Sequence, residues 1–254
     1  MPALGVPGVL TPAAPAPGGS GGASNFTDLY IDDVVAPSTP SALVPNRLDS
    51  NLLGLDGYWQ DPTVLFNTSA ITAPADGEGS YISYNPGSSN GQEAYIQGPS
   101  NLTPGPGCDF WCKFRFDDAD RSRLWLGYFA NAATGLALRT GDPTQQHAAL
   151  RFQNGDVNFQ FISKDGSTQE ITDTLVTPTN DTVYYLRIKV RAASVEFTLY
   201  DSNLSVLAGP DTHVTNIPGA DDELRPTLYS GNDGVNDNRD LQIYSCHLVQ
   251  HHLP

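Results

Sequence analysis

Carboxylates are weighed first, because two of them on one side of a cleft can break a glycosidic bond, one as acid and the other as nucleophile or base. The glutamates of this chain, Glu78, Glu93, Glu170, Glu196 and Glu223, are scattered. In Glu170-Ile-Thr-Asp173 the acids stand at i and i+3, which puts them on opposite faces of a strand. Glu196 falls on the outward side of an alternating stretch, where a solvated carboxylate is the expected state. Retaining hydrolysis is therefore not expected. The sequence shows no Ser-His-Asp order, no Gly-x-Ser-x-Gly elbow and no phosphate-binding glycine loop. The expectation is a protein that is not an enzyme.

Oxygen ligands gather in Asp117-Asp-Ala-Asp-Arg-Ser-Arg123 and in Ser230–Asp240. Calcium takes six to eight oxygens, and Asp233, Asp237 and Asp240 are the donors it would use. Their spacing is not that of an EF-hand, and a polar surface turn is the simpler reading, so calcium stays the alternative there. Cys108 and Cys112 are four residues apart, about 13 Å along a strand and beyond disulfide reach. A last strand pairing beside them would set Cys246 against Cys108 or Cys112, with buried free thiols the expected state. Zinc would want a fourth ligand, and His247 points away from Cys246. His247, His251 and His252 read as polar decoration at a strand end. Trp111, Trp125 and the Tyr184/Tyr185 pair, taken as outward-facing, are candidates for a sugar-stacking platform, although core or inter-subunit packing is the commoner use of such rings.

These side chains need strands to position them. In Val183–Arg191, Leu186, Ile188 and Val190 alternate with Tyr185, Arg187, Lys189 and Arg191; in Ser194–Tyr200, Val195, Phe197 and Leu199 alternate with Glu196, Thr198 and Tyr200. A period of two describes half-buried antiparallel strands, here a hairpin turning at Arg191–Ser194 without Asn-Gly chemistry. From Gly57 onward apolar alternation and Gly/Pro/Asn/Asp punctuation recur. Predicted strands include Val64–Asn67, Cys108–Phe116, Leu124–Ala130, Leu136–Thr140, Ala148–Gln153, Val157–Ser163, Gln169–Thr174, His213–Ile217, Arg225–Tyr229 and Leu241–Val249. Asn154-Gly155 and Asp165-Gly166 fall where tight turns belong. The pattern predicts an all-β, two-sheet sandwich.

Composition agrees. The chain has 254 residues, with 24 Gly and 20 Pro and only 16% charged residues, a makeup of short strands and many turns. Thirteen Lys and Arg stand against 28 Asp and Glu, a net charge of -15 that argues against nucleic-acid partners and anionic membranes. No apolar run reaches 18 residues, so no membrane insertion is expected. Residues 1–27 carry no charged side chain and lack the basic start and compact apolar core of a secretory signal. They read as an extended Pro/Gly/Ala-rich arm, with Leu4, Val6, Val9 and Leu10 as the side chains a partner subunit would take up. Residues 28–56 read as a connector with a short strand, and 57–254 as the folded domain. The Asn-X-Ser/Thr sequons at Asn25, Asn67, Asn101, Asn180 and Asn203 are read as incidental.

The succession Val157…Phe161…Asp165-Gly…Val183-Tyr-Tyr-Leu-Arg-Ile-Lys-Val…Val195-Glu-Phe-Thr-Leu-Tyr…Thr215-Asn-Ile-Pro218…Leu224-Arg-Pro226…Leu241-Gln-Ile-Tyr resembles a concanavalin A-like lectin/glucanase jelly roll. More narrowly it is similar to the version found in structural proteins of tailed bacteriophages. The resemblance covers roughly residues 57–252 and implies an antiparallel jelly-roll β-sandwich. The Glu-x-Asp-x(x)-Glu stretch of the glucanase branch is missing. What the resemblance implies is a virion structural protein on the exterior of a particle assembled in the host cytoplasm. Such a part would be a capsid decoration (cement) protein, or a tail or fibre component, contacting the major capsid or other virion proteins. A homo-oligomer, for instance a trimer, is expected. The alternative is a lectin-like adhesion module for host-surface glycans.

Overall fold

The structure, a computed structural model, describes residues 82–84, 93–97, 102–116, 122–130, 141–153, 155–232 and 241–251. The arm with Leu4, Val6, Val9 and Leu10, the connector, the expected strands Val64–Asn67 and Leu136–Thr140, and the loop with Asp233, Asp237 and Asp240 lie outside the described residues. Within them all regular structure is β. The strands are β1 (Ile82–Tyr84), β2 (Glu93–Gln97), β3 (Cys108–Phe116), β4 (Ser122–Ala130), β5 (His147–Phe152) and β6 (Gln160–Lys164). They continue with β7 (Gln169–Asp173), β8 (Tyr184–Arg191), β9 (Ser194–Tyr200), β10 (Val206–His213), β11 (Leu224–Asn232) and β12 (Leu241–Gln250).

Two antiparallel sheets face each other. Sheet A runs β1-β12-β3-β8-β9-β10 and sheet B runs β2-β11-β4-β5-β6-β7. Their inner faces supply one core: Phe110, Phe114, Leu186, Ile188 and Phe197 from sheet A meet Leu126, Tyr128, Leu150 and Phe161 from sheet B. Phe161 and Phe197 stack across the gap with centroids 5.2 Å apart, and Phe110 meets Tyr128 edge-on at 5.7 Å. Truncating such a ring typically costs about 3–5 kcal/mol.

The central hairpin forms as its periodicity requires, with β8 alternating buried and half-buried residues along its length. Arg191 pairs with Ser194, so Ala192-Ala193 alone makes the turn. Neither alanine takes a positive φ, which among the described non-glycine residues belongs to Leu175, Asp181, Leu204 and Asn216. The turn thus closes without the left-handed backbone that favours Asn-Gly. Asp165-Gly166 does sit in the β6–β7 loop. Gly166 has φ 97°, and Asp165 Oδ1 accepts from the amides of Ser167 at 2.7 Å and Thr168 at 2.8 Å and from Ser167 Oγ at 2.8 Å. Those donors hold the Asp165 carboxyl below its usual range.

Two boundaries differ from expectation. Val157, expected to open a strand, is exposed, and β6 begins at Gln160. No strand covers the expected His213–Ile217: β10 spans Val206–His213 and ends where that strand was to begin. Its pairing with β9 shifts register around Gly209-Pro210, and only His213 of its eight residues is buried, so no alternation marked it.

Candidate functional site

Among the described residues the outer face of sheet A carries the densest array of groups able to hold a ligand. Because Cys108, Phe110, Cys112 and Phe114 point inward on β3, Asp109, Trp111, Lys113 and Arg115 point outward. Register then places Trp111 opposite Arg187 and Lys113 opposite Tyr185. The Arg187 guanidinium lies 4.7 Å from the Trp111 ring centroid, and Trp111 and Tyr200 are nearly parallel, 16° apart in plane and 5.8 Å apart in centroid. A bulge between Ile243 and Ser245 of β12 inserts Tyr244 as an extra residue. Lys113 Nζ lies 4.9 Å from the Tyr244 centroid and 5.6 Å from that of Tyr185, while the Arg115 guanidinium is 5.8 Å from Tyr244. Arg115 Nε donates to Gln242 Oε1 at 2.7 Å.

One buried carboxylate organises the other end of this face. Asp109 stands 2.6 Å from Arg191, 3.6 Å from Arg187 and 3.3 Å from His251 Nε2. Farther along, Lys189 and Glu196 form a cross-strand pair, so the outward carboxylate expected at Glu196 is there and is bonded. Rings lying along a sheet between fixed cations can stack on the flat face of a sugar and bond its oxygens.

The expected stacking residues divide. Trp111 and Tyr185 are outward and half-buried, and Tyr200 and Tyr244, which the sequence reading did not single out, lie with them. Tyr184 points into the core: it stacks on Phe114 at 5.7 Å, and its hydroxyl accepts from the Thr179 amide at 3.0 Å. Trp125, expected outward on β4, does point away from the core, but it is fully buried and offers no open ring face.

Trp125 belongs to a second buried cluster, with Phe129, Ala149, Ile162 and Tyr229, on the side of sheet B away from the core. His147 stacks on Phe129 at 5.6 Å and meets Trp125 edge-on at 5.8 Å. Its Nδ1 is 2.8 Å from the Gln145 carbonyl and donates to it. Among the described residues its Nε2 and Trp125 Nε1 have no hydrogen-bond partner. Burial lowers the His147 pKa to about 4, so the ring is neutral. Beside it Arg151 donates to both oxygens of Asp142 at 2.8 Å and to Asp156 at 3.1 Å. Desolvation raises the Asp156 pKa against the opposing pull of Arg151. These two carboxylates hold a guanidinium and are not posed as an acid and a nucleophile.

A third constellation was not legible as a motif. Ser163 Oγ lies 2.7 Å from His213 Nδ1, and Thr172 Oγ1 lies 3.0 Å from Nε2. Asp211 Oδ2 is 3.3 Å from Nε2 but is not aligned to accept from it. Ser163 and His213 are both buried, so this serine is closed to any substrate. The group works as a clasp, tying edge strand β10 of sheet A to β6 and β7 of sheet B. Thr215 adds to it by donating to Glu170 Oε2 at 2.9 Å.

Register settles the cysteine alternatives. Cys246 stands opposite Cys112, and Cys108 opposite Gln250. All three thiols are free and buried. Burial pushes Cys108 up to about 12, and burial together with the Cys246 thiol raises Cys112 well above its ordinary value. Among the described residues no three His, Cys, Asp or Glu side chains come together as a metal site.

No family model and no curated protein matches the chain. Solved structures do. The calcium-bound exoplasmic/lumenal domain of VIP36 aligns over 79% of this chain and 86% of its own, with TM-score 0.55 and 10% identity. A structure titled for endo-acting O-glycanases of the human gut microbiota that initiate mucin breakdown aligns over 84% and 98%, with TM-score 0.53 and 8% identity. Lectin II from Ulex europaeus aligns over 68% and 88%, with TM-score 0.51 and 11% identity. Likeness at such identities is likeness of fold: the chain is an antiparallel jelly-roll β-sandwich of the concanavalin A-like, legume-lectin type.

Proposed function

We propose that the protein is a non-enzymatic carbohydrate-binding module that serves adhesion. The observation that carries this reading is the outer face of sheet A, where Trp111, Tyr185 and Tyr200 lie half-buried between fixed polar and charged groups. Aromatic shelves of this kind present C–H-binding ring faces with little conformational entropy left to lose. Support for a binding role over a catalytic one comes from the spent carboxylates Asp142 and Asp156 and from the closed Ser163. The strand-order resemblance to tailed-phage structural modules supports a setting on the exterior of a virion. There the uncharged residues 1–27 anchor the module to capsid or other virion proteins in a homo-oligomer.

Glycan-array screening of the full chain tests the reading, with Trp111→Ala as the paired variant. Specific glycan binding that the variant weakens about tenfold is the expected result. An array on which the folded wild-type chain binds nothing overturns it. Repeating the screen with a chelator tests calcium at Asp233, Asp237 and Asp240. For the virion setting, residues 1–27 are expected to be cleaved by protease in the free chain and protected in the particle, and equal cleavage in both removes the anchoring role.

A further inference from the structure

Among the described residues the same face also gathers positive charge. We infer that the outer face of sheet A binds an anionic polysaccharide, one bearing uronate carboxylates or sulfate esters. The inference rests on the glycan-binding reading and narrows its ligand class.

Five of the chain's 13 Lys and Arg residues, Lys113, Arg115, Arg187, Lys189 and Arg191, stand on the outward side of β3 and β8. The outward positions of β3, β8 and β9 hold only two carboxylates, Asp109 and Glu196. Glu196 is matched to Lys189. Asp109 alone serves two guanidiniums, and one negative charge cannot neutralise both. Arg115 has Asp181 at 4.0 Å, a carboxylate on an exposed side chain. Lys113 lies against the rings of Tyr185 and Tyr244, and among the described residues it has no carboxylate partner. Among the described residues the face therefore keeps a positive surplus, in a chain of net charge -15.

Geometry makes that surplus usable. Arg187 is held on Trp111, and Lys113 between two tyrosines, so the cations are ordered before a ligand arrives. A polyuronate or sulfated glycan offers both things this arrangement can take. Its pyranose faces stack on rings, and its regularly spaced anions bond guanidinium and ammonium groups. The acidic remainder of the molecule does not forbid the contact, since at physiological salt charges more than about 8 Å away are largely screened.

The test titrates the full chain by calorimetry against matched polymers: polygalacturonate and its methyl ester, and a sulfated galactan and its desulfated form. The expected result is that one anionic polymer binds at least tenfold tighter than its neutral counterpart. Its affinity should fall several-fold as salt is raised from about 0.05 to 0.5 M. Lys113→Gln with Arg115→Gln should abolish the preference in a variant whose cooperative thermal unfolding shows that it stays folded, and Lys113→Arg should retain it. Equal, salt-insensitive binding of the neutral polymers overturns the anionic inference and leaves the glycan reading standing. So does glycan-array binding confined to neutral sugars. Failure of every glycan overturns both, and salt-sensitive self-association by sedimentation would then assign the face to a second copy of the chain. Equally tight binding of an oligothymidylate would make it a generic polyanion surface and also overturn the inference.

Discussion

Strands β8 and β5 lie in facing sheets across one core, yet they use water differently. Strand β8 alternates buried and half-buried side chains, so at its centre sheet A has a dry face and a wetter one. Every residue of β5 is buried, and the cluster around Trp125, Phe129 and Tyr229 shows that the middle of sheet B is dry on both sides, while its edge strand β7 stays half-exposed. Charge follows the same division. On sheet A, Lys189 and Glu196 pair where water still reaches them, whereas Arg151 is withdrawn from solvent and needs both Asp142 and Asp156. A half-wet sheet can exchange its outward residues for binding chemistry at little structural cost. A doubly buried one must satisfy each polar group internally, and so has less freedom to evolve a site.

That division can be broken by adding one carbon. Gly127 of β4 has φ 151°, and a Cβ there would sit 2.3 Å from the Ala148 carbonyl oxygen and 2.7 Å from Ala149 Cα, both backbone atoms of β5. Gly127→Ala is expected to destabilise by about 4 kcal/mol, combining backbone strain with overpacking. Urea denaturation measures it, and a change below about 1 kcal/mol would mean that the two strands can part freely. Next in size is Arg151→Met, which leaves two carboxylates facing each other beneath Trp125. A loss of about 3 kcal/mol is expected, against less than about 0.5 kcal/mol for Lys189→Met on the wet face. Equal losses for the two variants would end the distinction between the sheets.

A smaller effect tests the dry side of sheet B by pH. His147 is neutral in the folded protein because burial lowers its pKa to about 4, while in the unfolded chain it titrates near 6.5. Between these values the unfolded state binds more protons, so this contribution is complete above about pH 6.5 and is lost as pH falls toward 4. From pH 7 to 5 the loss amounts to about 2 kcal/mol. His147→Phe, which keeps the stack on Phe129, should flatten the pH dependence of stability in that window at the cost of the Gln145 bond. An unchanged slope would place the acid sensitivity elsewhere, and not in Asp156, whose raised pKa adds stability as pH falls.

Strands β3, β8 and β9 of sheet A were legible in the sequence because they are half wet. The alternation of β8 and β9 marked their inward residues, and Cys108–Phe116 appears as β3 with the bounds read from its pattern. Sheet B hid its second face, since an apolar residue directed away from the core looks like any outward residue until something is seen to cover it. For that reason the sequence alone makes Trp125 look like a surface ring. In the doublet Tyr184-Tyr185 the alternation itself assigns the faces, since Tyr184 shares the parity of Leu186 and Tyr185 that of Arg187. Arg151 with Asp142 and Asp156, and His213 with Ser163, carry no fixed spacing. Loops and edge strands bring them together, and no pattern of period two encodes that. The bulge that swings Tyr244 over Lys113 was equally invisible.

The smallest effect concerns the cysteines and tests whether the inner face of sheet A is as dry as sheet B. Cys112 and Cys246 face each other across β3 and β12 in the core. Burial raises the Cys108 and Cys112 pKa values and closes all three thiols to solvent, and only exposed thiolate attacks a disulfide reagent. The native chain should therefore leave all three thiols unlabelled while the denatured chain labels all three. Cys112→Ala removes one sulfur from a filled core and should cost about 1 kcal/mol. Cys112→Ser should cost more than Cys112→Ala despite its closer size, because its hydroxyl gives up water for a face lined by Leu186, Ile243 and Cys246. Fast labelling of one thiol in the native state would locate an opening between β3 and β12, and the smooth gradation from wet outer face to dry core would then fail at the strand pair that carries Trp111 and Lys113.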